Sequence, residues 1–436
     1  MQFLVEPNSS VLELGCATGE LLACVKPSEG VGVDVSGKMV EAAVKKFSAY
    51  KFVKADAQSL ALKKKFDYIL ASDLIGHLPD IQSAFRSARA MMNPRSRFII
   101  TYYNFLWEPF IVLAEKLGLK TPQPRQNWVN TADVLNLLEL ADLEVVRTGQ
   151  RMLIPKNIPI ISWFANTILA PLPLLRSLCV VRYIVARSKE LTSNKKYSVS
   201  VVVPARNETG NIEAAVKRTP KVGKSVELIF VEGNSTDGTL NEINRVAKKY
   251  KRSHDIKVAV QEGKGKGDAV RKGFGMAKGD VLMILDADLT VPPEELPKFY
   301  EAIAANRGEF INGSRLVYPM EQEAMRFLNL LGNKFFSLAF TWLLGQRFKD
   351  TLCGTKVLFR HDYERIARNR SYFGDFDPFG DFDLIFGAAK LNLKILELPI
   401  RYKERTYGTT NISRFRHGLL LLRMTAFAMR KLKFIS

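Results

Sequence analysis

Asp286 and Asp288 stand two residues apart in VLMILDADLT (281–290). Alternate residues of an extended chain point the same way, so both carboxylates face one ligand. Two acids this close repel each other unless a cation lies between them. A hard divalent ion such as Mg2+ or Mn2+, itself bound to a diphosphate, suits the pair. A bare D-x-D is more often a strand end running into a solvated acidic turn, so the flanks decide. Lys264 and Lys266 sit among the glycines of EGKGKGDAV (262–270). They supply charge for a diphosphate, and the glycines, Gly265 among them, let it approach the backbone.

These residues need a sheet to hold them. Val281 to Leu285 read as a buried strand bounded by Gly279-Asp280 and Pro292-Pro293. Upstream, SVSVVVPARNE (198–208), VELIFVEGNSTDGT (226–239) and KVAVQEGKGKGDAVRKGFGMAKGD (257–280) each read as strand, turn and helix. Their polar strand ends converge on one crevice. Asp237, before Gly238-Thr239, also fits plain turn and helix-cap chemistry.

The first half has its own series. VLELG (11–15) runs into Cys16-Ala17-Thr18-Gly19 and a helix, and further strands end near Asp34, Asp56, Ser72 and Tyr103. Strand–helix alternation predicts a mostly parallel, doubly wound sheet. A glycine turn after the first strand admits a ligand to the backbone, and an acid after the second accepts hydrogen bonds from ribose hydroxyls.

A chain of 436 residues with 47% hydrophobic and 25% charged content is globular and has room for two or three domains. Its net charge of +20 is uneven. Residues 1–150 hold 17 Lys/Arg against 16 Asp/Glu, residues 151–196 hold 8 against 1, and residues 197–436 hold 39 against 27. Such an excess suits nucleic acid, an anionic membrane surface or phosphorylated substrates. The four cysteines make no CxxC pair or zinc spacing and read as reduced thiols. No secretory signal pattern opens the chain. Residues 156–197 read as an apolar, basic connector, a helical hairpin or cap on the first domain within reach of a membrane surface, with Pro159, Pro171, Pro173, Arg176 and Arg182 breaking any membrane span. The expected organisation is therefore a domain over 1–155, that connector, a domain over 198–412, and a basic amphipathic helix over 413–436 suited to anionic lipid.

The motifs resemble two known families. ELGCATG (13–19), Asp34, Asp56-Ala57 and SDLIGHLPD (72–80) are similar to the class I methyltransferases that use S-adenosylmethionine. The resemblance covers about residues 10–150. It implies a cofactor site of Glu13, Gly15, Cys16, Gly19, Asp34, Asp56, Ala57 and Asp73. Ala17 departs from the family's glycine, and only about ten residues precede the first strand, where the family usually has a helix, so the expectation is either a truncated start or an open site.

PARNE (204–208), VEGNSTDGT (231–239), GKGDAV (265–270), DADL (286–289), GSR (313–315), DTLCGTK (350–356) and RTYGTTN (405–411) resemble family 2 glycosyltransferases of GT-A fold, above all the dolichyl- or polyprenyl-phosphate sugar synthases. That resemblance implies a nucleotide-sugar site of Pro204, Ala205, Asn207, Glu208, Glu232, Asn234, Asp237, Lys264, Gly265, Lys266, Asp286 and Ala287. It implies metal on Asp286 and Asp288, and acceptor phosphate on Arg315 and Arg326; Arg405, opening RTYGTTN, is expected to converge with them on that phosphate. Asp286, Asp288 and Arg405 are the expected catalytic groups, with Asp350 a base only for a hydroxyl acceptor.

The expectation is a bifunctional α/β enzyme at the cytoplasmic face of a membrane, with two doubly wound domains. Its partners are a nucleotide-sugar, a polyprenyl phosphate and anionic lipid; its cofactors are S-adenosylmethionine and Mg2+ or Mn2+. Sugar transfer to a glycan or protein hydroxyl is the alternative within the same chemistry. A basic nucleic-acid binder with a degenerate transferase domain is the alternative outside it, but no nucleic-acid motif accompanies the charge.

Overall fold

The computed structural model describes residues 1–121, 126–189, 195–317, 327–372, 382–405, 407–408 and 414–434. The chain divides into two compact units, residues 1–190 with 433–436, and residues 191–432.

The first unit is built on seven strands: β1 (Ser10–Leu14), β2 (Glu29–Asp34), β3 (Lys51–Lys54), β4 (Phe66–Ser72), β5 (Met92–Tyr103), β6 (Leu143–Arg151) and β7 (Val181–Ser188). Their order is β3-β2-β1-β4-β5-β7-β6. β1 to β5 are parallel, whereas β7 runs antiparallel to both β5 and β6. The central strands are apolar on both faces because each face is covered: Leu12, Ile69 and Ile100 point into one core, and Val11, Leu70 and Ile99 into the other. Helices start where caps allow. Ser36 accepts from Met39 N, Asp80 from Ser83 N, and Asn130 forms a capping box with Asp133.

β7 corrects the connector reading. Its VRYIVARS lies inside the span 156–197 yet is a buried strand of the first sheet, so the first unit runs on to Glu190. Between β6 and β7, residues 152–180 leave the sheet.

The second unit holds β8 (Ser198–Ala205), β9 (Ser225–Glu232), β10 (Asp255–Val260), β11 (Val281–Ile284), β12 (Phe310–Ser314), β13 (Lys356–Phe359) and β14 (Ile395–Pro399), in the order β10-β9-β8-β11-β13-β12-β14. β13 is antiparallel to β11 and β12; the other pairings are parallel. Val201, Val203, Val281 and Met283 form the centre of its core. The helix Phe327–Leu344 buries Phe340 against Phe382 and Phe386, with ring centroids 5.5 Å apart in each pair, while Phe335 and Leu338 are exposed.

The terminal helix, Arg414–Leu432, is amphipathic and basic as expected, but most of its apolar stripe packs on protein, with Leu419 and Leu422 left exposed. Leu421, Met424, Ala428 and Leu432 are buried, against the helices Phe327–Leu344 and Phe382–Lys390 among others. The i, i+3, i+4 pattern marks an apolar face and does not say what covers it. Among the described residues, no helix is long and apolar enough to cross a membrane.

Candidate active sites

In the second unit the parallel strands β8, β9 and β11 end at one edge, and their loops carry the acids. Asp286 pairs with Lys266 (Oδ1 to Nζ 2.5 Å), the first residue of the helix Lys266–Met276. Asp288 pairs with Arg405, whose Nη2 donates to Oδ2 at 2.7 Å. The same guanidinium donates from Nη1 to Glu208 Oε1 at 2.7 Å. Arg405 thus ties the end of β8 to the end of β11. Thr290 steadies the other Asp288 oxygen, donating from N and Oγ1 to Oδ1 at 3.1 and 2.8 Å.

Burial would raise the Asp286 carboxyl, but Lys266, Lys356 and Arg315 outweigh it and hold Asp286 below the ordinary carboxylate range. Glu208 moves the other way. Its burial, helped by the Asp288 charge, outweighs Asn211 and Arg405 and raises it.

The DTLCGTK loop closes over Asp286. A Cβ at Gly354 would overlap Asp286 Oδ2 and Lys266 Nζ, so any other residue there would displace this pair. Glu397 on β14 shapes the start of this loop by accepting from Lys349 N (2.8 Å) and Asp350 N (3.0 Å). Neither Gly354 nor Glu397 stands out in sequence. The glycine lies inside a quoted motif without a visible reason, and ILELP looks like any strand.

Asp350 is bound in a bidentate pair, accepting from Arg315 Nε at Oδ2 and Nη2 at Oδ1, both at 2.8 Å. It also accepts from Arg315 N at 2.9 Å and is 1% exposed. Burial pushes its carboxyl up, but Arg315 overrides this and holds it low. A buried carboxylate so held is a weak proton acceptor, which speaks against Asp350 as a base. It also commits much of Arg315, expected on the acceptor, to a structural pair; Arg315 lies 5.3 Å from the Tyr402 ring centre.

The remaining positions line the β8 and β9 ends. Asn207 and Asn234 both have positive φ, at 56° and 59°. Asn207 Oδ1 accepts from Thr236 N at 2.9 Å, and Glu232 Oε1 accepts from Ser235 N at 2.5 Å. Asp237 binds Thr239 and Thr209, and Tyr407 OH reaches its Oδ2 at 3.4 Å. Asp237 therefore does cap chemistry, and its carboxylate also faces the Arg405 loop. Ala205 and Ala287 are buried and offer only backbone; Pro204 is half-buried and Lys264 exposed. Arg326 lies outside the described residues.

In the first unit the corresponding edge carries the glycine turn. Gly15 has φ +69°, and Ala17, where the related family keeps glycine, has φ +44°. Asp34 Oδ2 accepts from Ala17 N at 2.9 Å and Oδ1 from Ser36 N at 2.8 Å. Each oxygen keeps a lone pair for a ribose hydroxyl. Asp56 is exposed and accepts from Gln58 N at 2.9 Å. Asp73 (φ +53°) donates from N to Thr101 O at 3.0 Å, and burial, only partly offset by Tyr103, raises its carboxyl.

Three expected cofactor residues turn inward. Glu13 is buried, accepts from Leu22 N at 3.0 Å, and is raised by burial to about 8. Cys16 and Ala57 place their side chains in the two cores. Glu13 and Cys16 shape the glycine turn, and Ala57 packs in the core beyond β3.

Comparison with known proteins agrees with both halves. Residues 200–373 match the family model Glycosyl transferase family 2, and residues 2–148 match that of a methyltransferase domain. The chain is a two-domain α/β protein. It carries an N-terminal methyltransferase domain with a Rossmann-like sheet, followed by a family 2 glycosyltransferase domain.

Among its relatives is an undecaprenyl-phosphate 4-deoxy-4-formamido-L-arabinose transferase of Pectobacterium atrosepticum, 29% identical over 222 residues, which cover 50% of this chain and 63% of that protein. A dolichol-phosphate mannosyltransferase of Saccharomyces cerevisiae is 39% identical over 110 residues, 24% of this chain and 40% of that one. The chain thus spans less than two thirds of the length of these relatives. Among solved structures, an S-adenosylmethionine-dependent methyltransferase from Clostridium acetobutylicum aligns at 15% identity and a TM-score of 0.31, over 43% of this chain and 87% of that one.

Proposed function

We propose that the second unit transfers a sugar from a nucleotide-sugar to a polyprenyl phosphate at the cytoplasmic surface of a membrane, and that the first transfers a methyl group from S-adenosylmethionine. The observation that carries the first half is the pairing of Asp286 with Lys266 and of Asp288 with Arg405 at the end of β11. Acids matched by movable cations suit a donor that brings its own negative charge. A bound diphosphate would compete with the carboxylates for Lys266 and Arg405, and Asp286 and Asp288 would then be the residues to hold a divalent ion.

The donor set fits Mg2+ or Mn2+: two hard carboxylate oxygens, with phosphate oxygens and water free to complete the shell. Asp286 and Asp288 would hold the ion, which would stabilise charge developing on the leaving nucleotide. Glu208, Glu232 and Asn207 line the β8 and β9 ends, where base and ribose would lie. An acceptor phosphate is anionic near pH 7 and needs no general base, which agrees with an Asp350 locked to Arg315. In the first unit, Asp34 would hold the ribose of the cofactor, and the turn 15–19 would approach its amino-acid end.

The test is thin-layer analysis of radiolabelled nucleotide-sugars incubated with the full chain, with and without undecaprenyl phosphate and with chelator. Label in a lipid product, lost on chelation, is expected. Transfer to a soluble hydroxyl acceptor without lipid would replace the lipid-phosphate reading.

A further inference from the structure

β6 and β7 are joined by residues 152–180, which contain Lys156 and Arg176 and no Asp or Glu. This excursion is apolar but not folded inward. Ile160 is 81% exposed and Leu174 89%, and Trp163 and Phe164 are exposed between them. It is also ordered. Asn166 Oδ1 accepts from Leu153 N and Ile154 N at 2.7 and 3.0 Å, and its Nδ2 donates to Ile154 O. Val180 N donates to Met152 O at 2.7 Å, closing the base of the excursion.

A second apolar segment lies against the first. Trp107 Nε1 donates to Leu178 O at 2.8 Å, and Asn104 Nδ2 donates to Ser177 O and Cys179 O at 3.0 Å. The helix that follows, Glu108–Lys116, exposes Phe110, and Leu117 just after it is 63% exposed. Tyr103 pairs with Val181, so both segments leave the sheet at the carboxyl end of β5. That is the edge where β2 and β4 deliver Asp34 and Asp73.

We propose that these two segments seat the first unit on an anionic bilayer, with its cofactor edge toward the lipid. This rests on the membrane-surface reading above and assigns the contact to a particular surface. The occupant follows from chemistry: aromatic and aliphatic side chains suit headgroup depth, and the exposed Lys156 and Arg176, with no acid in the excursion, suit anionic headgroups. The terminal helix is the weaker candidate, because most of its apolar stripe is already buried in protein, leaving Leu419 and Leu422 exposed.

The experiment is flotation of the full chain on phosphatidylcholine vesicles with and without phosphatidylglycerol, for wild type and for Trp163→Glu combined with Leu174→Glu. Both positions are exposed, and thermal melts check that the variant folds. Wild type should float with the anionic vesicles and the double variant about tenfold less, as the lost apolar anchor dictates. Brominated lipid should quench tryptophan fluorescence in wild type, and Trp163→Phe should abolish most of that quenching. Equal flotation of wild type and double variant overturns the surface and leaves the membrane reading standing. A wild type that floats with neither vesicle overturns both. A change in light-scattering mass with unchanged flotation assigns the surface to a second copy of the chain instead.

Discussion

The two units begin with the same half-sheet and arm it in opposite ways. Each orders its first four strands 3-2-1-4 and inserts an antiparallel strand further along. At the carboxyl edge of the first, Asp34 and Asp56 accept from backbone N–H groups, and among the described residues neither pairs with Lys or Arg. At the same edge of the second, Asp286, Asp288, Glu208 and Asp350 are all matched by Lys or Arg. Uncompensated acids suit a cofactor with hydroxyls and a positive centre. Compensated acids suit a polyanion that arrives with a metal. The shared topology fixes where a ligand sits, and the cations decide its charge.

The largest effect should come from Asp288→Asn. Sugar transfer should fall about a thousandfold, as when a charged group on a developing anion is lost. S-adenosylmethionine binding by the same protein should be unchanged in titration calorimetry. Full metal-dependent turnover by the folded variant would remove Asp288 from the metal.

Asp34→Ala should do the reverse. Each lost bond to a charged acceptor costs about 1.5–3 kcal/mol, or roughly 10- to 100-fold in affinity. Calorimetry should show weaker cofactor binding, with Asp34→Asn intermediate, while lipid-linked transfer proceeds at the wild-type rate. Equal loss of both activities would mean that the two edges are coupled.

The smallest effect is on stability and sharpens the contrast in burial. Glu13 titrates near 8 in the folded first unit against an ordinary 4.5. Between those values the folded state keeps a proton that the unfolded chain has released. Stability of this unit therefore falls as pH rises from about 4.5 to about 8, then levels. Glu13→Gln keeps an acceptor for Leu22 N and removes the slope, for a gain on the order of 1–3 kcal/mol at the alkaline end. Calorimetric scans across this range, following the transition that S-adenosylmethionine shifts, would show it; parallel pH profiles for variant and wild type would exclude Glu13 as the cause.

Much of this was legible in the residues. Runs such as VLMIL and VVVP are strands because nothing else buries them, and the acids after them mark the carboxyl edge. What was not legible depends on distance along the chain. A side chain at Gly354 would displace Asp286, which lies against it in space. Asp350 reads as a base only for a hydroxyl acceptor, and Arg315, arriving from the end of β12, takes both its oxygens. Arg405 reads as a phosphate ligand, and its bridge from Glu208 to Asp288 is likewise set by residues far apart in the chain. The terminal helix showed its apolar stripe plainly, yet only its neighbours determine whether protein or lipid covers it.

β7 has a consequence for how the chain is made. β6 joins its sheet only through β7, so during synthesis it emerges with no neighbour to pair with. β5 meanwhile presents an open edge until residues 152–180 and then 181–188 have left the ribosome. A piece cut at residue 155 would keep both strands and lose the one between them. Its exposed hydrogen-bonding edge would invite pairing with other copies. The methyltransferase half is therefore finished by residues that look, in the linear sequence, as if they belong to the passage toward the next domain.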